Sequence, residues 1–209
     1  TGPTADVKPT WSPDGEWIAF LRTRPGGTRE SIVAVYTAKA DGTDIFQLTD
    51  PGQIAILYSM APKWSPDGSK IIFSGQEPGG GGWEVYSVPA AGGGLTRLTN
   101  TGGRGAYPEW SPDGSKIAFG NGQDIWAMSA GGGGATKIAT IADGHVAGAG
   151  APVWSPDGER IAYTEAPGFV PAFASYVMDA SGGNKQAIPF SGIMLDWQPV
   201  PATKVEFTQ

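Results

Sequence analysis

KPTWSPDGEWIAF occupies residues 8–20. The unit returns as APKWSPDGSKIIF at 61–73, YPEWSPDGSKIAF at 107–119 and APVWSPDGERIAY at 151–163, and a shortened head, MLDWQP, stands at 194–199. Its tryptophans are Trp11, Trp64, Trp110, Trp154 and Trp197, spaced 53, 46, 44 and 43 residues apart. Five identical residues, WSPDG, recurring at that spacing cannot come from composition bias. The chain is therefore built from repeats.

Each unit reads as strands. The segment ending in Trp-Ser is strand A, and Pro-Asp-Gly makes a tight turn: Pro presets φ, Asp bonds nearby backbone N–H, and Gly takes positive φ. The β-forming Ile-Ala-Phe or Ile-Ile-Phe that follows is strand B. A second aromatic, Tyr36, Tyr86, Trp126 or Tyr176, marks strand C. Strand D lies beyond a glycine turn, in FQLT (46–49), TRLT (96–99), TKIA (136–139) and QAI (186–188). Four short antiparallel strands per repeat make a β-propeller blade. The expected fold is all-β: four complete four-stranded blades and a partial fifth.

Composition agrees. The 209 residues include 33 Gly and 18 Pro, about twice the ordinary combined share. With 40% hydrophobic and only 16% charged residues, the chain carries the apolar surface that a disordered segment lacks. The net charge is −6, with no basic stripe, which argues against nucleic acid as a partner. There is no cysteine, so disulfides and thiolate metal sites are excluded. No apolar run reaches the length of a membrane span.

The pattern P-x-W-S-P-D-G-x-x-I-A-F, followed by an aromatic, a glycine turn and Leu-Thr, resembles the TolB-type, WD-repeat-like propeller blade. The likeness runs from about Lys8 to Pro199. It implies a propeller of the bacterial cell envelope, periplasmic or secreted, with a protein or peptide as partner. One domain is expected over residues 1–209, with repeats at about 8–50, 61–100, 107–140 and 151–190 and a partial unit at 194–209. Three closures are open at this point. The N-terminal residues 4–7 complete the fifth blade beside 204–207, another chain completes it in a homo-oligomer, or the chain belongs to a six-bladed ring.

Strand order places the A–B and C–D turns on one rim and the B–C and D–A loops on the other. The first rim is uniform. On the second, the spacing from the repeat Trp to the strand-C aromatic is 25, 22, 16 and 22 residues. Length variation gathered on one face marks the binding face of a repeat protein. Candidate contacts there are Arg22, Arg24, Trp83, Arg104, His145, Phe169 and Phe173, since aromatics and arginine anchor interfaces.

Other constellations read as structural. Trp11, Trp64, Trp110 and Trp154, with Trp197, resemble stacking platforms, but their fixed place in strand A assigns them to packing between blades. Asp14, Asp67, Asp113 and Asp157 sit in turns of different blades, so they cap turns and cannot converge on one ion. His145 is the only histidine, and no G-x-S-x-G elbow or set of zinc ligands accompanies it. A Ca²⁺ site of carboxylates and carbonyls on the glycine-rich loops stays open, although no loop shows the regular Asp spacing of a dedicated site. No cofactor is expected. The leading expectation is a non-enzymatic binding module. The alternative is a propeller enzyme domain, either glycosidase- or lyase-like with carboxylates among Glu77, Asp124, Asp143 and Glu165, or the gating propeller of a hydrolase; a purely structural or engineered repeat fragment is the third reading.

Overall fold

Each WSPDG stretch folds in the same way in the computed structural model, which describes residues 4–23, 32–50, 52–56, 60–141, 145–146, 152–167, 174–189 and 197. In the first copy the Ser12 hydroxyl donates to Asp14 Oδ1 at 2.5 Å, and Asp14 Oδ1 also accepts the Glu16 N–H at 2.9 Å. Ser12 Oγ accepts the Trp17 N–H at 2.9 Å, and the Gly15 N–H reaches the Ser12 carbonyl at 3.0 Å. Ser65/Asp67, Ser111/Asp113 and Ser155/Asp157 repeat the arrangement. The turn glycines, Gly15, Gly68, Gly114 and Gly158, lie at φ between 69° and 74°, where a side chain would be strained.

These turns join strands A and B of four antiparallel sheets. Blade 1 is β1 (Asp6–Trp11), β2 (Trp17–Thr23), β3 (Ile32–Lys39) and β4 (Phe46–Gln47). Blade 2 is β5 (Ala55–Ile56), β6 (Lys63–Trp64), β7 (Lys70–Gln76), β8 (Glu84–Pro89) and β9 (Thr96–Arg97), with β5 and β6 both pairing with β7. Blade 3 is β10 (Gly105–Trp110), β11 (Lys116–Asn121), β12 (Asp124–Ser129) and β13 (Thr136–Thr140). Blade 4 is β14 (His145–Val146), β15 (Val153–Trp154), β16 (Arg160–Pro167), β17 (Ala174–Asp179) and β18 (Gln186–Ile188), with β14 and β15 sharing β16. No helix occurs among the described residues. Strand A begins earlier than the sequence implies. In blades 1 and 3 it passes through a bulge at Lys8 and Tyr107, both at positive φ. In blades 2 and 4 it is broken in two.

Packing lies between the blades. Ala19, Leu21 and Val35 of blade 1 meet Ile71, Phe73, Tyr86 and Val88 of blade 2. Ile72 and Val85 meet Trp110, Ile117 and Phe119, and Ala118, Ile125 and Ile141 meet Trp154, Ile161 and Tyr163. Each fully buried aliphatic or aromatic side chain in these layers stabilises by about 1.5–3 kcal/mol.

Three of the repeat tryptophans tie one blade to the next by hydrogen bonds. Trp64 Nε1 donates to the Thr10 carbonyl at 3.1 Å, and Trp110 Nε1 to Lys63 at 3.3 Å. Trp197 Nε1 donates to the Val153 carbonyl at 3.1 Å, the same kind of bond to blade 4 that Trp64 and Trp110 make to the blades before them. Trp110 and Trp154 are each 7% exposed, whereas Trp11 is 60% exposed. Trp11 therefore departs from the expected packing between blades: no neighbouring sheet among the described residues covers it.

The N-terminal segment corrects one of the closures. Asp6 and Val7 pair with Arg22 and Leu21 of β2, and the Ala5 carbonyl accepts the Thr23 N–H at 3.0 Å. These residues extend strand A of blade 1 and do not complete a fifth blade. Residues 204–207 lie outside the described residues.

Candidate loop-face site

Strands B and C carry a stacked aromatic pair near mid-strand in three blades, with the B–C and D–A loops beyond it. Phe20 lies on Tyr36 at 5.7 Å, Phe73 on Tyr86 at 6.2 Å and Tyr163 on Tyr176 at 5.7 Å. They meet because strand B and strand C pair these residues directly. What stands over each pair differs from blade to blade.

In blade 1 it is Arg22. The residue lies within β2 and not in the loop where the sequence placed it, because strand B runs on to Thr23. Its Nε and Nη2 donate to Asp6 at 2.6 and 2.8 Å, and its guanidinium carbon lies 4.6 Å from the Tyr36 ring centre. The Asp6 bond raises its pKa further. It is a positioned cation.

In blade 2 the centre is Glu84, at 1% exposure. Its carboxylate accepts from Thr99 Oγ1 at 2.5 Å, Thr101 N at 2.7 Å, Thr101 Oγ1 at 3.0 Å, Gly103 N at 3.0 Å and Arg97 Nη2 at 3.1 Å. Burial alone pushes this carboxyl upward, but the hydrogen bonds from Thr99, Gly103 and Thr101 together outweigh it and leave the group below its ordinary value. Arg97 also reaches Glu77 at 3.3 Å, and the Tyr86 hydroxyl donates to Glu77 at 3.2 Å. Burial, followed by the nearby Glu77 charge, pushes the Tyr86 hydroxyl up to about 12. Glu77, Gly80 to Gly82, Glu84, Tyr86 and Arg97 surround a recess of about 60 Å³.

Trp83 and Arg104 come together here. The Trp83 N–H bonds the Gly103 carbonyl at 3.0 Å and the Gly105 N–H bonds the Trp83 carbonyl at 2.8 Å, forming a bridge between Trp83 and Arg104. The B–C and D–A loops of blade 2 are thereby zipped together. Gly103 is required, since a Cβ there would overlap the Gly81 carbonyl. The Arg104 carbonyl accepts the Gly122 N–H at 3.3 Å, which links the bridge to blade 3.

In blade 4 Lys185 Nζ donates to Glu165 Oε1 at 2.5 Å and lies 4.0 Å from the Tyr176 ring centre. Glu165 is fully buried. In blade 3 Asp124 pairs with Lys137 at 3.7 Å. The described carboxylates Glu77, Glu84, Asp124 and Glu165 thus each engage a cation of their own blade.

His145 has its backbone in β14, opposite Pro167, and not in a loop. Tyr107 likewise lies in β10. Arg24, Phe169, Phe173 and Asp143 lie outside the described residues. No group of three or more His, Cys, Asp or Glu arranged to hold a metal ion occurs among the described residues, and no described helix is long and apolar enough to cross a membrane. Glu84 was not singled out from the sequence. The only hint was an acidic residue opening a strand otherwise made of Val, Tyr, Ser, Val and Pro.

Radially repeated four-stranded sheets with inter-blade cores define a β-propeller. Residues 51–199 match the TolB beta propeller domain, and the chain belongs to that family. Over 72 residues it is 35% identical to an uncharacterised peptidase, YuxL, of Bacillus subtilis, a stretch that is 34% of this chain and 10% of that protein. TolB of Acinetobacter baumannii superposes with a TM-score of 0.65 at 20% identity, covering 88% of this chain and 44% of TolB. A puromycin-hydrolysing peptidase of Mycobacterium tuberculosis gives 0.67 at 14% identity, covering 96% of this chain and 30% of the peptidase. The chain spans a small part of the curated relative and less than half of either structural neighbour.

Proposed function

We propose that the chain is a non-enzymatic binding module of the bacterial cell envelope, which recognises a protein or peptide through its B–C and D–A loop face. The observation that carries this reading is the changing charge set on an aromatic pair shared by blades 1, 2 and 4: Arg22–Asp6 in blade 1, Glu77–Arg97–Glu84 in blade 2, Lys185–Glu165 in blade 4. A shared frame with blade-specific charges suits the reading of an extended surface. The recess on this rim, about 60 Å³, is far below the roughly 300 Å³ that holds a small molecule. Membership of the TolB family supports an envelope setting.

A second reading is favoured by YuxL and the mycobacterial enzyme, both peptidases: the propeller is one domain of a larger hydrolase and its loop face borders an active site carried elsewhere. One comparison separates the two. Trp83→Ala and Arg104→Ala, each checked for an unchanged thermal transition, are used to capture partners from an envelope extract. The binding reading expects a specific partner with wild type and its loss with either variant. An unchanged partner set would overturn it. In a hydrolase, the same variants in the full-length protein would instead shift KM with peptide length.

A further inference from the structure

On the opposite rim the A–B turns of the four repeats are near-identical in sequence, yet blade 1 differs at two registered positions beside them. Strand B begins with Trp17, where the other blades have Lys70, Lys116 and Arg160. Strand D carries Phe46, where the others have Thr96, Thr136 and Gln186. The two rings contact each other at 6.1 Å, and Phe46 is 54% exposed. Leaving such surface in water opposes folding unless something covers it.

The turn facing these rings is also displaced. In blades 3 and 4 the C–D turn rests on strand D of the preceding blade. A Cβ on Gly132 would stand 3.0 Å from the Leu98 carbonyl oxygen, and one on Gly182 would overlap the Ile138 carbonyl. A Cβ on the equivalent Gly92 would meet nothing within 4 Å. The inner turns keep their spacing, with Pro13, Pro66 and Pro112 3.5–3.8 Å from a Cβ on the facing glycine. Only the outer part of the blade 1–blade 2 junction is open.

The opening is a cleft of about 660 Å³, against 140 Å³ and 380 Å³ at the next two junctions. Those two are lined in part by Lys70 and Lys116. The large cleft has Trp17, Phe46, Leu48 and Trp64 as walls, Asp14 as its charged group, and no basic side chain. Lys39, which pairs with Trp17 across β2 and β3, is held by Asp44 at 2.6 Å. The cleft is thus apolar inside and negative at its edge.

We propose that this cleft binds a segment of another protein that presents an aromatic or branched apolar side chain next to a lysine or arginine. The apolar side chain enters between Trp17, Phe46 and Trp64, and the basic neighbour faces Asp14. The site lies on the other rim from the loop face and stands independently of the function proposed above.

The test is a titration followed at the indole N–H signals of Trp17 and Trp64. The probe is the N-acetylated peptide amide Gly-Arg-Phe-Leu-Lys-Gly, compared with Gly-Glu-Phe-Leu-Glu-Gly. The basic peptide is expected to shift both signals saturably, and the acidic one to bind at least about tenfold more weakly. Phe46→Thr and Trp17→Lys restore residues that other blades carry at the same register, so both are expected to fold. Each should weaken the basic peptide by about tenfold or more. Absence of saturable shifts in the wild type, equal binding of the two peptides, or undiminished binding by both variants overturns the proposal. A concentration-dependent rise in solution mass that Phe46→Thr abolishes also overturns it, because the occupant is then a second copy.

Discussion

Asp67 and Asp113 show how much chemistry one turn residue holds. Hydrogen bonds from the Ser65 and Ser111 hydroxyls, then from the Ser69 and Ser115 N–H groups, lower both carboxyls from 3.8 to about 2. Asp14 and Asp157 are lowered for the same reasons. A carboxyl depressed in the folded state contributes stability that is complete above its unfolded value and disappears as pH falls through the folded one. Asp67→Asn should therefore lower the urea midpoint at pH 7, and its difference from wild type should close between about pH 3.8 and 2. A difference that persists at pH 2 would show that charge is not what holds the turn. Glu84 is the deeper case. Glu84→Ala strands the Thr101 and Gly103 N–H donors and is expected to cost about 2 kcal/mol in urea unfolding. The turn aspartates were legible because all their partners lie within two residues. Glu84 was not, because its partners stand 13–19 residues away.

Strands B and C were readable from local pattern, since each is a short run of β-formers bounded by turns. Strand A was not. Its early half in blades 1 and 3 runs through Lys8 and Tyr107 at φ near 56° and 59°, a conformation that only the partner strand imposes. The same limit applies to Arg22, which reads as a loop residue until β2 is seen to extend to Thr23. The zipped loops of blade 2 make a sharp prediction for an element. Gly103→Ala puts a Cβ into the Gly81 carbonyl at φ 87° and should break the Trp83–Arg104 bridge, with a loss of about 2 kcal/mol or more. Gly80→Ala, also at positive φ but with nothing within 4 Å, should cost about 1 kcal/mol. Amide exchange at Gly105, whose N–H bonds the Trp83 carbonyl, should accelerate in the first variant and stay protected in the second.

Across the whole molecule, stability rests in the layers between blades, so position in the stack decides what one repeat residue contributes. Trp154→Ala should cost about 3–5 kcal/mol as a large core truncation. Trp11→Ala, at 60% exposure, should cost about 1 kcal/mol, measured by urea unfolding of the two variants side by side. Equal losses would mean that Trp11 is covered in solution. Four near-identical sequences thus carry unequal roles. The repeat by itself determined the blade, its turns, the order of its strands and which loops share a rim, because those follow from bonds within a few residues and from the two-residue period of a strand. Only the tertiary structure decided that Trp11 is bare while Trp154 is buried, that Glu84 gathers five hydrogen bonds, and that Trp17 and Phe46 open a cleft where other blades close. Those outcomes depend on which blade lies alongside, and neighbours in space are not neighbours in the chain.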